Sequence, residues 1–130
     1  MGNKAKSDLK RWDLAYFRLP LEEKDGSVQG GTRLCMVISN DINNRFSHVI
    51  HIVPLTCEIK KTNMPVHVVM GKKYVKMIRG SVENEFMGLF EQVRPIDITK
   101  INYRKVAVLE DEEIRKACEK ALMVQMGIQI

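Results

Sequence analysis

The sequence predicts a small α+β domain in which a barrel-like sheet is followed by one C-terminal helix. The chain has 130 residues, 45% of them apolar, which is enough for a single domain to bury its own core. Short apolar runs with the period of strands fill most of its length, and a helical period appears only near the end. We therefore expect a flexible basic tail over residues 1–10 and one folded domain over residues 11–130.

The first half of the chain predicts three strands. In chain order, the predicted elements are a strand from Trp12 to Leu19, a glycine-rich loop over 22–31, a strand over 34–38, a turn over 39–44 and a strand over 49–53. Pro54 is expected to end the third strand, because proline has no N–H to give to the sheet. A loop as long as 22–31 in a compact domain usually has a function.

The second half predicts two more strands and a helix. The strands cover residues 65–70 and 87–93. Apolar residues three and four positions apart then predict an amphipathic helix from about Asp111 to Met126, which Gly127 ends. Acidic residues cluster at the start of this helix, where its dipole favours them.

Composition excludes several classes of protein. The longest apolar runs fall far short of the roughly 18–20 residues that a membrane-spanning helix needs. The basic N-terminus continues into Trp12 and Asp13 instead of an apolar run, so no secretory signal is readable. We expect a cytoplasmic protein without a membrane partner.

Neither a metal site nor a cofactor is predicted. The three cysteines lack C-x-x-C spacing and are expected to be buried, reduced thiols: Cys35, Cys57 and Cys118. His48 and His51 lie three positions apart on a predicted strand, so they point to opposite faces and cannot hold one ion together. No local spacing pairs Cys57 with a histidine as an activated nucleophile.

Positive charge is unevenly distributed. Basic residues outnumber acidic ones by 21 to 16, and the stretch from Glu58 to Arg79 holds six basic residues and one acidic residue. This stretch is either a phosphate-facing surface or an ordinary solvated face. The glycines of residues 26–31 precede Arg33, so bare backbone N–H groups and a guanidinium stand where they could approach a phosphate. A plain flexible connection is the alternative.

Six short motifs, taken in order, resemble those of the MazF/PemK-like toxin endoribonucleases. They are residues 11–14 (RWDL), 26–33 (GSVQGGTR), 36–41 (MVISND), 53–56 (VPLT), 64–68 (MPVHV) and 89–97 (LFEQVRPID). The family's usual forms are R-G-D, G-S-E-Q-G-G-x-R-P, V-I-x-N-D, P-[IVL]-T, L-P-T-H-V and L-x-[ED]-Q-x-R-x-I-D. The resemblance covers about residues 10 to 127.

The resemblance implies both a fold and an activity. The fold would be a small SH3-like, CcdB-like β-barrel sheet with a C-terminal α-helix, present as a homodimer. The activity would be sequence-selective, metal-independent cleavage of single-stranded RNA. The protein would be the toxin of a toxin-antitoxin pair, inhibited by a cognate antitoxin protein, and would need no cofactor.

The resemblance also assigns residues to the site. Arg33 and Thr56 take the positions of the family's catalytic pair. The residues expected to hold RNA are Ser27, Gln29, Gly30, Gly31 and Gln92. Glu91, on the predicted strand that carries Gln92, is our candidate for a general base. Its alternative role is an ion pair with Arg94 or simple exposure to solvent.

Two departures from the family pattern matter for the site, and a third is milder. Val28 replaces the usual glutamate of the RNA-facing loop, Leu34 replaces a proline after the arginine, and Asn43 replaces a glycine. The loss of an acceptor at Val28 leaves open a domain that binds RNA or a protein without cutting. Some relatives with this barrel poison gyrase instead. Retention of Arg33 and Thr56 favours the nuclease.

Overall fold

The structure is a computed structural model that describes residues 8–20 and 31–129. In chain order, the described elements are β1 (Asp13–Leu19), β2 (Gly31–Val37), α1 (Asp41–Phe46), β3 (Val49–Thr56), β4 (His67–Gly71), β5 (Val75–Met77), β6 (Glu85–Leu89), β7 (Arg94–Asp97), β8 (Tyr103–Leu109) and α2 (Glu112–Met126). Two 3₁₀ turns cover Lys72–Tyr74 and Phe90–Gln92. The predicted fold class, a barrel-like sheet with a C-terminal helix, is confirmed.

The strands form one curled antiparallel sheet. Its order is β4-β6-β3-β2-β1-β8-β5, and β7 pairs with the first half of β3. β4 and β5 lie at the two edges of this order, yet only the 3₁₀ turn Lys72–Tyr74 separates them along the chain. The sheet therefore curls until its edges approach each other, as in an incompletely closed barrel.

Both faces of the central strands are buried, which explains their continuous apolar sequences. On β2, Met36 belongs to a cluster that includes Cys118 of α2, whereas Cys35 and Val37 belong to a second cluster on the opposite face. Successive side chains of β1 and β3 divide between the two clusters in the same way. The protein thus has one core inside the curl and another outside it.

The second cluster extends further toward the N-terminus than expected. Leu9 is only 2% exposed and packs in this cluster, and the backbone N–H of Lys10 donates to Oδ2 of Asp13 at 2.7 Å. The structure places residues 8–10 in the folded domain, so the expected boundary at residue 11 lies too far along the chain. A single leucine among lysines has no period that could reveal its burial.

The prediction that Pro54 ends the third strand is wrong, because β3 continues to Thr56. Along one edge, β3 changes partner: residues 49–52 pair with β7, and residues 55–56 pair with β6. Pro54 falls between these two sets of pairs, where its missing N–H removes no bond to either partner.

The predicted turn over 39–44 is also wrong, since residues 41–46 form α1. The side chain of Asn40 caps this helix by accepting a hydrogen bond from the backbone N–H of Asn43 at 2.8 Å. The side chain of Asn44 is buried and donates to the backbone carbonyl of Ser39 at 2.8 Å. Short polar residues favour helix caps and turns alike, so the composition did not separate the two.

Three strands were missed, namely β5, β7 and β8, and the predicted strand over 87–93 ends at Leu89 and passes into a 3₁₀ turn. β8 contains charged residues that hide its period. One of them, Lys105, forms an ion pair with the buried Asp13 of β1, with 3.0 Å between Nζ and Oδ2. Burial nevertheless raises the pKa of the Asp13 carboxyl.

The predicted C-terminal helix is confirmed. The side chain of Asp111 caps α2 by accepting from the backbone N–H of Ile114 at 2.9 Å. Gly127 ends the helix in the left-handed conformation, with φ of 71°. Of the two described helices, neither combines the length and apolar composition that crossing a membrane requires.

Candidate active site

Arg33 and Thr56, which lie 23 positions apart in sequence, meet in the wall of one cavity of about 620 Å³. Arg33 lies near the start of β2, and Thr56 is the last residue of β3. These strands are antiparallel neighbours with Cys35 opposite Pro54, and the same register extended by two residues sets Arg33 opposite Thr56. Directly opposed side chains lie on one face of a sheet, which explains why both reach this cavity.

The cavity lies where four polypeptide segments come together. Its lining comprises Tyr16, Thr32, Arg33, Leu34, Leu55, Thr56, Cys57, Glu58 and Glu83. Arg33 is exposed and Thr56 is half-buried, so both side chains are accessible to a ligand in the cavity. The cleft is thus an open, polar site with a fixed positive charge.

The hydroxyl of Thr56 is oriented by the backbone that follows it. The backbone N–H of Glu58 donates to Oγ1 of Thr56 at 3.0 Å. Since this bond uses an acceptor site of the oxygen, the hydroxyl hydrogen is left to donate to a ligand. Thr56 can therefore serve as a hydrogen-bond donor in the cavity.

The carboxylates of the cavity differ from the one expected. Glu58 and Glu83 line it, whereas the lining does not include Glu91. Glu91 lies in the 3₁₀ turn after β6, not on a strand, and its Oε2 is 2.9 Å from Nε2 of His67. Nothing in the local sequence around Glu83 points to a site, because its position depends on how the segment before β6 returns to the end of β3.

Cys57 lies in the cavity wall but is poorly suited to be a nucleophile. Partial desolvation raises the pKa of its thiol, and the negative charge of Glu83 raises it further. The thiolate form is therefore disfavoured at neutral pH.

The other two cysteines are buried as expected, and burial raises the pKa of the Cys35 and Cys118 thiols to about 12. The expectation that Cys57 is buried is wrong, since it is exposed.

The structure describes only part of the predicted RNA-binding set. Ser27, Gln29 and Gly30 lie outside the described residues. Gly31 is the first residue of β2 and has φ of 77°. This left-handed conformation favours glycine, which explains why a glycine starts the strand. Gln92 is half-buried in the same 3₁₀ turn as Glu91 and is not part of the cavity lining.

The histidines do not form a metal centre with other residues. Within residues 8–20 and 31–129, no group of three or more histidine, cysteine or acidic side chains has an arrangement that could hold a metal ion. His51 and His67 instead lie on different strands, β3 and β4.

The fold and the site together define a small, incompletely closed β-barrel that presents an arginine and a threonine in one cleft. A model of the family described as the PemK-like, MazF-like toxin of type II toxin-antitoxin systems matches residues 10–125. The chain therefore belongs to this toxin family, as its motifs indicate.

Individual relatives agree with this assignment. The chain is 36% identical over 120 residues to the endoribonuclease EndoA of Bacillus subtilis (strain 168), which covers 92% of this chain and 96% of that protein. It shares its fold with a crystal structure of MazF from Deinococcus radiodurans, with a TM-score of 0.70 at 18% identity over 92% of this chain and 97% of that one. A mycobacterial endoribonuclease, solved in complex with its cognate antitoxin, gives a TM-score of 0.67 at 14% identity over 94% and 98% of the two chains.

Proposed function

We propose that this toxin is an endoribonuclease that cuts single-stranded RNA without a metal ion, by attack of a 2'-OH on the adjacent phosphate. The observation that carries the proposal is that Arg33 and Thr56 line one open cavity. The 36% identity to a protein named as an endoribonuclease, spread over 92% of the chain, supports it.

The reaction requires stabilisation of negative charge on the phosphate. The 2'-oxygen forms a bond to phosphorus while the bond to the 5'-oxygen breaks, which leaves a cyclic phosphate and a free 5'-hydroxyl. Arg33 remains protonated and presents a planar fork to two phosphate oxygens. Thr56 donates its hydroxyl hydrogen to one of the same two oxygens, because the backbone N–H of Glu58 holds the hydroxyl oxygen in place. Together they stabilise the pentavalent transition state.

A base must accept the proton of the 2'-OH, and an acid must protonate the leaving 5'-oxygen. We assign the base to a carboxylate in the cavity wall, Glu58 or Glu83, since both line the cavity with Arg33. Glu91, the candidate expected from the sequence, is engaged by His67 instead. Replacing Glu58 and Glu83 separately with glutamine distinguishes the two. Only the loss of the base removes the part of the pH–rate profile in which the rate rises with pH.

The loop of residues 22–31 is proposed to select the RNA sequence, through Ser27, Gln29, Gly30 and Gly31, with Gln92 as a further contact.

We also propose that the toxin is a homodimer and that a cognate antitoxin inhibits it. Large apolar side chains remain exposed at the end of the chain, with Val124 at 44%, Met126 at 53% and Ile128 at 57%. Light scattering should give twice the 15.0 kDa mass of one chain.

Cleavage of a long transcript in the presence of EDTA tests the activity. The wild-type protein should release fragments with 5'-hydroxyl ends. Arg33→Ala should lower kcat by about 100-fold or more, because it removes the positive charge that stabilises the negatively charged transition state. Thr56→Val should lower it by at least about tenfold for the loss of one donor. Lys116→Gln, on the exposed side of α2, is the matched control and should cut normally.

The other outcomes are equally specific. Intact RNA, with Arg33→Ala indistinguishable from the wild type, would refute the nuclease. RNA retained on a filter without new ends would indicate a binding module instead. Stalled gyrase-DNA complexes in cells with unchanged messenger RNA would indicate a gyrase poison.

A further inference from the structure

Residues 57–66 connect β3 to β4, and the first two of them line the proposed catalytic cavity. This connection starts directly after Thr56, and the backbone N–H of Glu58 ties it to that side chain by donating to Oγ1. Any movement of the connection would therefore change the direction of the threonine hydroxyl. What holds the connection in place matters for the reaction.

His67, the first residue of β4, holds this connection at its middle. Its Nδ1 is 3.0 Å from the backbone carbonyl oxygen of Lys61, and its Nε2 is 2.9 Å from Oε2 of Glu91. The side chain of His67 is only 6% exposed, whereas that of Glu91 is 35% exposed. Both partners are oxygen acceptors, so the ring makes both bonds when each of its nitrogens carries a hydrogen.

The residue that His67 holds has an unfavourable backbone. Lys61 has φ of 51°, in the left-handed region that residues other than glycine rarely adopt. Its carbonyl oxygen accepts a second hydrogen bond from the backbone N–H of Met64 at 3.1 Å. A conformation that is unfavourable by itself persists because the surrounding contacts determine it.

We propose that His67, which contacts Glu91 through Nε2, is a positioning residue that clamps the connection at Lys61 and thereby keeps the N–H of Glu58 on Thr56. The clamp joins the connection and the adjoining start of β4 to the 3₁₀ turn after β6, which lies 24 residues further along the chain. The backbone N–H of Phe90 donates to the carbonyl of Val66 at 2.9 Å and ties the same turn to the same connection. This role rests on the proposed catalytic function of Thr56.

Two substitutions of His67 separate the halves of the clamp. In His67→Asn, the side-chain amide nitrogen takes the place of Nδ1 and can still donate to Lys61. In His67→Gln, it takes the place of Nε2 and reaches only toward Glu91. We expect kcat within about threefold of the wild type for the asparagine variant and at least about tenfold lower for the glutamine variant. KM should change by less than about threefold in both variants, because His67 is not among the residues that line the proposed catalytic cavity.

Amide hydrogen exchange provides a readout that does not depend on cleavage. The N–H of Glu58 should exchange at least about tenfold faster in His67→Gln than in the wild type, and near the wild-type rate in His67→Asn. His51→Gln, an exposed histidine of β3, is the control and should change neither measurement. Equal kcat or equal exchange for the two His67 variants would overturn the proposal. Absence of any cleavage by the wild type would refute the nuclease, while the exchange rates would still test the clamp.

Glu91 is tested in the same assays. Glu91→Gln keeps an acceptor oxygen for Nε2, and Glu91→Leu leaves the bond between Nδ1 and Lys61 in place, so both should retain kcat within about threefold, as His67→Asn does. If Glu91 were the general base, Glu91→Gln would lose about 100-fold or more in kcat, with unchanged exchange at Glu58. That result would overturn the assignment of Glu91 to the clamp as a partner of His67 alone.

Discussion

At the scale of single residues, Trp12 is the least expected feature. It stands where related toxins usually have a glycine, and its φ of 79° explains that glycine. Trp12 is nevertheless buried, with only 8% of its surface exposed. The guanidinium carbons of Arg11 and Arg115 lie 4.9 and 5.3 Å from the centre of its ring. Burial and cation–π contacts thus compensate for an unfavourable backbone conformation.

Two replacements of Trp12 separate these effects. Trp12→Ala should lower the free energy of unfolding by about 3–5 kcal/mol, because it leaves a large void in the core. Trp12→Gly removes the same side chain but relieves the left-handed backbone, so it should be about 1 kcal/mol more stable than the alanine variant. Urea unfolding of both variants measures the difference. A glycine variant that is the less stable of the two would contradict the backbone explanation.

The reactivity of Cys57 tests the electrostatics of the cavity. Because Glu83 helps to raise the pKa of this thiol, Glu83→Gln should lower that pKa toward its usual value. The thiolate fraction at mildly alkaline pH then increases, and alkylation by iodoacetamide should become a few times faster. Glu113→Gln, on the exposed first turn of α2, is the control. An unchanged alkylation rate in Glu83→Gln would place Glu83 away from the cavity.

At the scale of elements, two glycines illustrate different constraints on the chain. Gly127 ends α2 with φ of 71°, and a Cβ there would meet nothing within 4 Å. Gly71 ends β4 in an extended conformation, but a Cβ there would lie 2.1 Å from the backbone oxygen of Asn84. The first glycine is required by backbone conformation and the second by the close approach of the segment before β6.

Alanine at each position should therefore have a different cost. Gly127→Ala should lower the free energy of unfolding by about 1 kcal/mol, for the left-handed conformation alone. Gly71→Ala should cost more, about 3 kcal/mol, since a rigid backbone atom must move. It should also reduce cleavage, because the displaced segment carries Glu83 into the cavity. Thermal or urea unfolding measures both, and equal costs would be inconsistent with a clash at Gly71.

At the scale of the whole molecule, the net charge of +5 favours RNA binding in general. The basic residues between Glu58 and Arg79 spread over several elements, and two of them, Lys72 and Lys73, line a separate cavity of about 590 Å³ beside Tyr74. That this stretch faces phosphate stays a prediction. Its contribution to binding can be measured through the effect of salt.

The affinity for RNA should fall as the salt concentration rises. With an RNA that carries a 2'-deoxy nucleotide at the mapped cut site, the logarithm of the binding constant should fall linearly with the logarithm of salt concentration. Arg33→Ala should reduce the steepness by about 0.7, the value for one contact to a single-strand phosphate. Lys116→Gln should leave it unchanged. A slope unaffected by Arg33→Ala would mean that this arginine does not contact phosphate.

Much of this organisation was predictable from local sequence. The helix α2 and its caps depend on residues within one segment, as do the buried runs of β2 and β3. The strand β8 and the helix α1 were not predictable, because Lys105 depends on the distant Asp13 and the short polar residues of α1 suit a turn equally well. Prediction thus failed at β8 because a partner lies on another element, and at α1 because the local composition suits two structures.

The sequence by itself determined the family, the helix that ends the chain and the types of side chain available for catalysis. The tertiary structure alone decided which of them meet. It places Glu83 beside Arg33 and Thr56, and it turns Glu91 toward His67. The physical reason is that a motif records residue types along one segment. The distance between two side chains that lie far apart in sequence depends on strand register and on the path of the connections.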